Sequence, residues 1–119
     1  MTDVQNILRS LGITRCYKGF KHTEYAICLA IQDESRLEAI TKEIYMETAD
    51  HFECSWTAVE RNIRTAVSRA WSVNPDLLCQ IAGYPLKTEP SASQFIEMVS
   101  SYIIRSHQPQ VQSWPLGLS

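Results

Sequence analysis

The sequence contains few of the residues that turn a chain sharply. Its 119 residues include only four Gly and five Pro. β-Sandwiches and β-barrels need many tight turns, and these turns are rich in Gly and Pro, so neither fold is expected. With 45% hydrophobic and 20% charged residues, the chain has the composition and the length of one globular domain.

Long hydrophobic runs are also missing. No stretch approaches the roughly 18–20 apolar residues that span a membrane. The first residues, 1–6, contain neither the basic nor the apolar region of a signal peptide. The sequence therefore predicts a cytoplasmic protein with no membrane partner.

Cysteine is present but not in a recognisable framework. The four cysteines are far apart and include no Cys-x-x-Cys pair. A chain of this length with an apolar core does not need disulfides, so we expect reduced thiols. His51 and Cys54 form the one metal-like spacing, and a structural zinc site needs four ligands. No metal and no cofactor are predicted.

Motifs of catalysis are absent as well. The chain has no Gly-rich phosphate loop, no Ser-x-x-Lys and no Gly-x-Ser-x-Gly. His22, His51 and His107 fall in separate predicted elements, where a structural or solvent-facing role is more common than that of a general base. We predict that the protein is not an enzyme.

Positive charge is not in excess over the whole chain. Eleven Lys and Arg residues against thirteen Asp and Glu residues leave a formal net charge of -2. This balance argues against a protein that coats any polyanion. It does not describe how the basic residues are distributed.

Hydrophobic periodicity predicts an all-α domain of about six helices. Apolar residues recur at helical spacing throughout, and the cleanest period joins Val59, Ile63, Ala66, Val67 and Ala70. The domain should span residues 1–106, followed by a flexible C-terminal tail over 107–119. The predicted helices cover about 4–11, 21–31, 36–50, 55–72, 75–82 and 91–106.

The third and fourth predicted helices have the register of a helix-turn-helix over about residues 37–72. Ala49 is small at the position where the second helix crosses the first, and Val59 and Ile63 direct that helix toward the core. Glu53 occupies the turn position that tends to adopt a positive φ, which a non-Gly residue tolerates with modest strain.

The start of the fourth helix carries two capping signals. Ser55 is a suitable N-cap, and Thr57-x-x-Glu60 has the spacing of a capping box. Trp56 either staples the turn, which we favour, or lies against the sugar-phosphate backbone of a nucleic acid. Trp71, at the far end of the apolar stripe, is expected in the core.

Charge changes sign along this unit. Residues 42–60 contain one Lys and five acidic residues, whereas residues 61–71 contain three Arg and no acid. Arg61, Arg64, Thr65 and Ser68 share the solvent face of the fourth helix. Arg side chains match guanine O6 and N7 in the major groove, or phosphate oxygens.

Two interpretations of this face are open. It is either a nucleic-acid surface or a solvated helix face whose arginines pair with nearby carboxylates. Glu60 likewise either accepts a hydrogen bond from a cytosine amino group or completes the capping box.

Several short motifs of the chain form a recognisable set. They are Gly19-Phe20, Ile40-Thr41-Lys42-x-x-Tyr45, Ala49-x-x-Phe52, Val59-Glu60-Arg61-x-Ile63-Arg64-x-Ala66, Ala70-Trp71, Gly83-Tyr84 and Phe95-Ile96-x-Met98-Val99. With these motifs the sequence resembles a known family, the C-terminal DNA-binding effector domain of the stage zero sporulation response regulator of Firmicutes. The resemblance covers about Ile7 to Ser106.

The resemblance implies that the fourth helix is a recognition helix in the major groove. Glu60, Arg61 and Arg64 would contact a TGTCGAA-like box of double-stranded DNA, bound in tandem or as a homodimer. The segment from Asn74 to Ala82 would touch the RNA polymerase sigma factor. The candidate DNA-binding residues are Trp56, Thr57, Ala58, Glu60, Arg61, Arg64, Thr65 and Ser68.

The chain departs from the family pattern in three respects. Ala58 stands where the family usually has a basic residue, and Thr65 where it commonly has His. Both changes remove a contact to phosphate or base. The family's N-terminal receiver domain is also missing, so that, if the chain is a complete gene product, phosphorylation in cis cannot switch it.

The sequence thus favours a sequence-specific transcription regulator of bacterial cytoplasm. The alternative hypothesis is a protein-interaction adaptor or decoy of the same fold, which binds family members or RNA polymerase instead of DNA. Ala58, Thr65, the acidic third helix and an anchoring Trp114 in the tail favour this alternative.

Overall fold

Helices account for all the regular structure in the computed structural model, which describes residues 2–106. The predicted tail, with His107 and Trp114, lies outside the described residues. Within them, five of the six predicted helices are confirmed as single α-helices, and the third is divided into a 3₁₀ helix, a π-helix and an α-helix. Their bounds are α1 Thr2–Ser10, α2 Gly19–Gln32, the 3₁₀ helix Glu34–Ala39, the π-helix Thr41–Tyr45, α3 Met46–Phe52, α4 Trp56–Val73, α5 Pro75–Ala82 and α6 Ala92–Ser106.

The core lies around α2, which packs against α1, α4 and α6. Ala26, Ile27 and Ala30 of this helix are fully buried. A helix that is apolar on most of its circumference cannot lie at the surface, which is why α2 takes the central position.

α1 ends as its sequence predicts. Gly12 has φ 85°, the left-handed conformation that favours glycine after a helix C-terminus. A Cβ at this position would also press on the side chain of Val73 at the end of α4. Ile13 follows directly and is completely buried, so the chain turns back into the core.

The single third helix predicted over about 36–50 is wrong. The structure divides this segment into the 3₁₀ helix, the π-helix and α3. The π turn carries one extra residue, and it places two consecutive side chains, Ile44 and Tyr45, in the core. Arg36 bridges the divided segment by donating from Nη1 to the Glu43 carbonyl oxygen at 3.0 Å.

The last two helices begin with side-chain caps. The Asn74 side chain accepts from the Leu77 amide at 3.2 Å, with Pro75 in the first helical position, where its missing N–H has no intrahelical partner to lose. Before α6, Ser91 Oγ accepts from the Gln94 amide at 3.1 Å, and Gln94 Oε1 accepts from the Ser91 amide at 3.4 Å. This reciprocal pair is a capping box.

No helix within residues 2–106 has both the length and the hydrophobicity to cross a membrane. No three His, Cys, Asp or Glu side chains in that part of the chain come together as a metal site requires. The cysteines are free thiols, of which Cys16 and Cys54 are exposed.

Candidate nucleic-acid interface

The turn between α3 and α4 has the predicted conformation. Glu53 adopts φ 55° and ψ 52°, a left-handed geometry. The Cys54 amide donates to the Ala49 carbonyl at 3.0 Å, and the Glu53 amide donates to the Asp50 carbonyl at 3.3 Å. These two bonds satisfy carbonyls at the end of α3 and set the angle at which α4 leaves.

The first turn of α4 is capped by Ser55. Its Oγ accepts from the Ala58 amide at 3.2 Å, which confirms the predicted N-cap. The predicted capping box of Thr57 and Glu60 does not form, because the helix starts at Trp56 and Thr57 is already inside it. Thr57 Oγ1 instead lies 3.2 Å from Ser55 Oγ.

α4 is divided into a buried and an exposed side. Its apolar stripe is completely buried, as the periodicity predicts: Val59, Ile63, Ala66, Val67 and Ala70. The polar residues Thr57, Arg61, Arg64, Thr65 and Ser68 are exposed. Because the apolar stripe is buried in the core, the orientation of α4 about its own axis is fixed. The polar face of α4 must therefore point to solvent.

The two arginines of this face differ in their surroundings. Arg61 is exposed, and within residues 2–106 its side chain makes no ion pair and no hydrogen bond. Arg64 Nη2 lies 3.5 Å from Glu60 Oε1, one helical turn away. An exposed pair of this kind contributes little to stability, so Arg64 can exchange Glu60 for another acceptor at small cost.

Thr65 and Ser68 have local partners. Thr65 Oγ1 donates to the Arg61 carbonyl at 3.1 Å. Ser68 Oγ donates to Glu89 Oε2 at 2.6 Å. Glu89 comes from the loop between α5 and α6, so residues 61–71 contain no acid of their own but are met by one from another part of the chain at this end of α4.

Trp56 and Ala58 flank the start of α4 on different sides. Trp56 is 39% exposed. Its indole lines a groove of about 450 Å³ together with Met46, Ala49 and Asp50 of α3. The ring is thus shared between α3 and solvent, and both roles proposed for it stay predictions. Ala58 is half-buried.

The third arginine of α4 is used within the fold. Arg69 Nε donates to the Gly12 carbonyl at 3.2 Å, and its guanidinium lies 5.6 Å from the centre of the Tyr17 ring. It therefore ties α4 to the loop between α1 and α2. Trp71 is half-buried and packs against the core, close to what the sequence predicts.

The structure adds a group of basic residues that the sequence reading missed. Arg15, Lys18 and Lys21 surround a groove of about 360 Å³ whose opposite wall includes Asn62 of α4. The missed signal is a run from Arg9 to His22 that contains four basic residues and no acid.

His22 joins this groove to the helix-turn-helix. Its Nδ1 lies 3.2 Å from Nδ2 of Asn62, and its ring lies 5.0 Å from that of Phe52 at the end of α3. Tyr25 and His51 stack beside them at 4.2 Å. Burial lowers the pKa of His22 below its ordinary value, because the charged imidazolium loses solvation there.

A family model described as sporulation initiation factor Spo0A C terminal matches residues 4–103. The chain belongs to this family. The family consists of DNA-binding effector domains of sporulation initiation regulators, a regulatory class and not an enzyme class. The resemblance found in the sequence is thereby confirmed.

Proposed function

We propose that the protein is a sequence-specific double-stranded DNA-binding transcription regulator that inserts α4 into the major groove. The observation that carries this proposal is the exposed guanidinium of Arg61, which has no partner among residues 2–106, on a helix whose rotation is set by a fully buried stripe. An unpaired Arg can make a bidentate contact to guanine O6 and N7 without first losing a protein partner.

The neighbouring residues complete the proposed contact surface on a TGTCGAA-like box. Glu60 accepts from a cytosine amino group once Arg64 has moved to a base or a phosphate. Thr57, Thr65 and Ser68 supply hydroxyls to phosphate oxygens or base edges. Trp56 and Ala58, at the start of the helix, add apolar contacts to sugar or base methyl groups.

The resemblance to the family suggests further partners. α5 and its cap, from Asn74 to Ala82, would meet the RNA polymerase sigma factor. Its exposed side chains Asp76 and Gln80 are available for that contact. Two copies would bind adjacent boxes in tandem or as a homodimer. The place of action is the cytoplasm of a bacterium, where its DNA lies.

A binding titration tests the proposal. The protein is titrated with one duplex that contains TGTCGAA and one with the same bases scrambled. We expect tighter binding to the first, and a loss of roughly 1–3 kcal/mol of binding free energy on that duplex for Arg61→Ala. Lys87→Ala, in the loop before α6, serves as the control. Equal affinity for both duplexes, unchanged by Arg61→Ala, would refute sequence reading.

A second candidate function is an adaptor or decoy of the same fold that binds family members or RNA polymerase. It is favoured by the acids on or near α4: Glu89 at Ser68, and Asp50 and Glu47 beside Trp56. Carboxylates repel a duplex but suit a basic protein surface. Salt separates the two functions, because DNA affinity falls steeply with salt through counterion release.

A further inference from the structure

The basic groove beside α4 is positively charged, whereas the chain as a whole has a formal net charge of -2. We call it the α2 cleft, and define it by Arg15, Lys18, Lys21, His22 and Asn62. Arg15, Lys18 and Lys21 are exposed, in a protein whose net charge is -2. Three cations around one concave site create a local positive potential that attracts anions.

No carboxylate of the described residues 2–106 neutralises these three cations. The ion pair formed within that range joins Arg64 to Glu60, on the recognition face. The nearest acid along α2, Glu24, accepts a hydrogen bond from Gln5 of α1 at 2.8 Å and so faces another element. The cations of the α2 cleft are therefore free to bind an external anion.

The α2 cleft is also held rigidly against α4. Gly19 sits so near the backbone carbonyl of Asn62 that even a methyl group would not fit between them. Arg69, seven residues after Asn62 on the same side of α4, donates to the Gly12 carbonyl at the far end of the loop and lies against the Tyr17 ring, which itself lines the groove. The distance between the cleft and the recognition face is thus set by the fold.

The position of the cleft identifies its anion. Asn62, in its wall, follows Arg61 in α4 and lies about 100° from it around the helix axis, so the cleft borders the exposed face of α4 on the side of α2. The backbone of a duplex runs along both sides of the groove that a recognition helix enters, and it carries one phosphate per nucleotide. The start of α2 also attracts an anion, because this helix has no acid in its first turn and no side-chain cap.

We propose that the α2 cleft binds the phosphate backbone of the same duplex whose bases α4 reads, with Lys18 and Lys21 as the principal contacts and Arg15 beside them. This inference rests on the proposed function. It assigns to the start of α2 the task of holding the duplex in register, while specificity stays with Arg61. The contact contributes affinity for any sequence.

The test measures salt dependence for Lys18→Gln, Lys21→Gln and the double variant, on the TGTCGAA duplex and on the scrambled one. Each lost phosphate contact should reduce the slope of log affinity against log salt by about 0.9. A fourfold rise in salt should therefore weaken the double variant about 12-fold less than the wild type, since each contact accounts for about 3.5-fold. The ratio of affinities for the two duplexes should not change.

Arg105→Gln is the matched control, because Arg105 is an exposed cation in a different groove, with Ile81 and Tyr84. Its slope should equal that of the wild type. Circular dichroism melting checks that each variant is folded, which the exposure of both lysines leads us to expect. Binding that responds to Arg105→Gln as much as to the cleft variants would overturn the assignment.

The two proposals fail in different ways. A wild type that prefers the TGTCGAA duplex, with cleft variants whose slopes are unchanged, overturns the α2 cleft and leaves the proposed function standing. The wild type can also bind both duplexes equally while the cleft variants have smaller salt slopes than the wild type. That result overturns sequence-specific binding and supports the phosphate contact of the α2 cleft. A wild type that binds neither duplex overturns both.

Discussion

Gly19 and Asn62 are in backbone contact where α2 crosses α4. A Cβ built on Gly19 would collide with the carbonyl oxygen of Asn62 and would touch the side chain of Ala66 at 3.6 Å. Neither helix can retreat, because α2 and α4 both bury their apolar faces in the same core. This contact joins the element that carries Lys18 and Lys21 to the element that carries Arg61.

We expect Gly19→Ala to destabilise the protein by overpacking, which costs typically about 1–3 kcal/mol. Gly83→Ala is the control. Gly83 has φ 88° and open space around its Cα, so alanine there meets only backbone strain of roughly 1 kcal/mol. Urea unfolding of both variants measures the difference. A Gly19→Ala variant as stable as the wild type would show that the two helices can move apart.

Glu53→Gly should stabilise the protein. Glu53 holds φ 55°, the one positive φ of a non-Gly residue among those described, and a left-handed residue with a Cβ costs roughly 1–2 kcal/mol. Gly relieves that strain but adds freedom to the unfolded chain, so a net gain of about 1 kcal/mol is expected. Glu53→Ala, which removes the carboxylate and keeps the Cβ, should show no such gain in the free energy of unfolding.

Ser55→Ala should lower the free energy of unfolding by about 1 kcal/mol. It removes the Oγ that accepts from the Ala58 amide and leaves an N-terminal amide of α4 without its partner. Ser55→Asp, which keeps an acceptor oxygen at the cap, should be as stable as the wild type. If thermal unfolding gives the same Tm for the Ala and Asp variants, the cap is not what starts this helix.

His22 should make stability depend on pH. Burial lowers the pKa of the folded His22 below its ordinary value of 6.5, so the unfolded chain takes up the proton first as the pH falls. The contribution of His22 to the free energy of unfolding is therefore complete above pH 6.5, and it is lost progressively as the pH decreases below that value. His22→Gln should flatten this part of the profile, measured by urea unfolding at several pH values. His51→Gln, which leaves His22 ionisable, should keep it.

Glu89→Gln should strengthen DNA binding if α4 faces the duplex. The Glu89 carboxylate accepts from Ser68 on the outer face of α4, where it would repel phosphate. Its neutralisation should raise affinity several-fold at low salt for either duplex, and less as salt screens the repulsion. Glu97→Gln on α6, an exposed acid in a separate groove, is the control. An equal gain from both variants would indicate a general charge effect.

The helices and the turn follow from local patterns. A buried stripe on α4, an N-cap at Ser55 and a left-handed Glu53 are all consequences of interactions within a few residues, so the sequence is enough to predict them. The same holds for Asn74-Pro75 and Gly83 at the ends of α5. The π-helix at Thr41–Tyr45 was not foreseen, because its extra residue is stabilised by core packing of Ile44 and Tyr45 and not by a sequence signal.

The candidate site divides in the same way. The sequence by itself determined the family, through the motifs that the chain shares with it. It also determined the helix-turn-helix and the exposed position of Arg61, since periodicity decides which residues of a helix face the core. Only the tertiary structure decided that Arg69 turns away to Gly12, that Glu89 reaches Ser68, and that Lys18 and Lys21 lie beside α4. These contacts join residues far apart in the chain, and their geometry depends on how α2 packs against α4. Local sequence patterns carry no record of that packing.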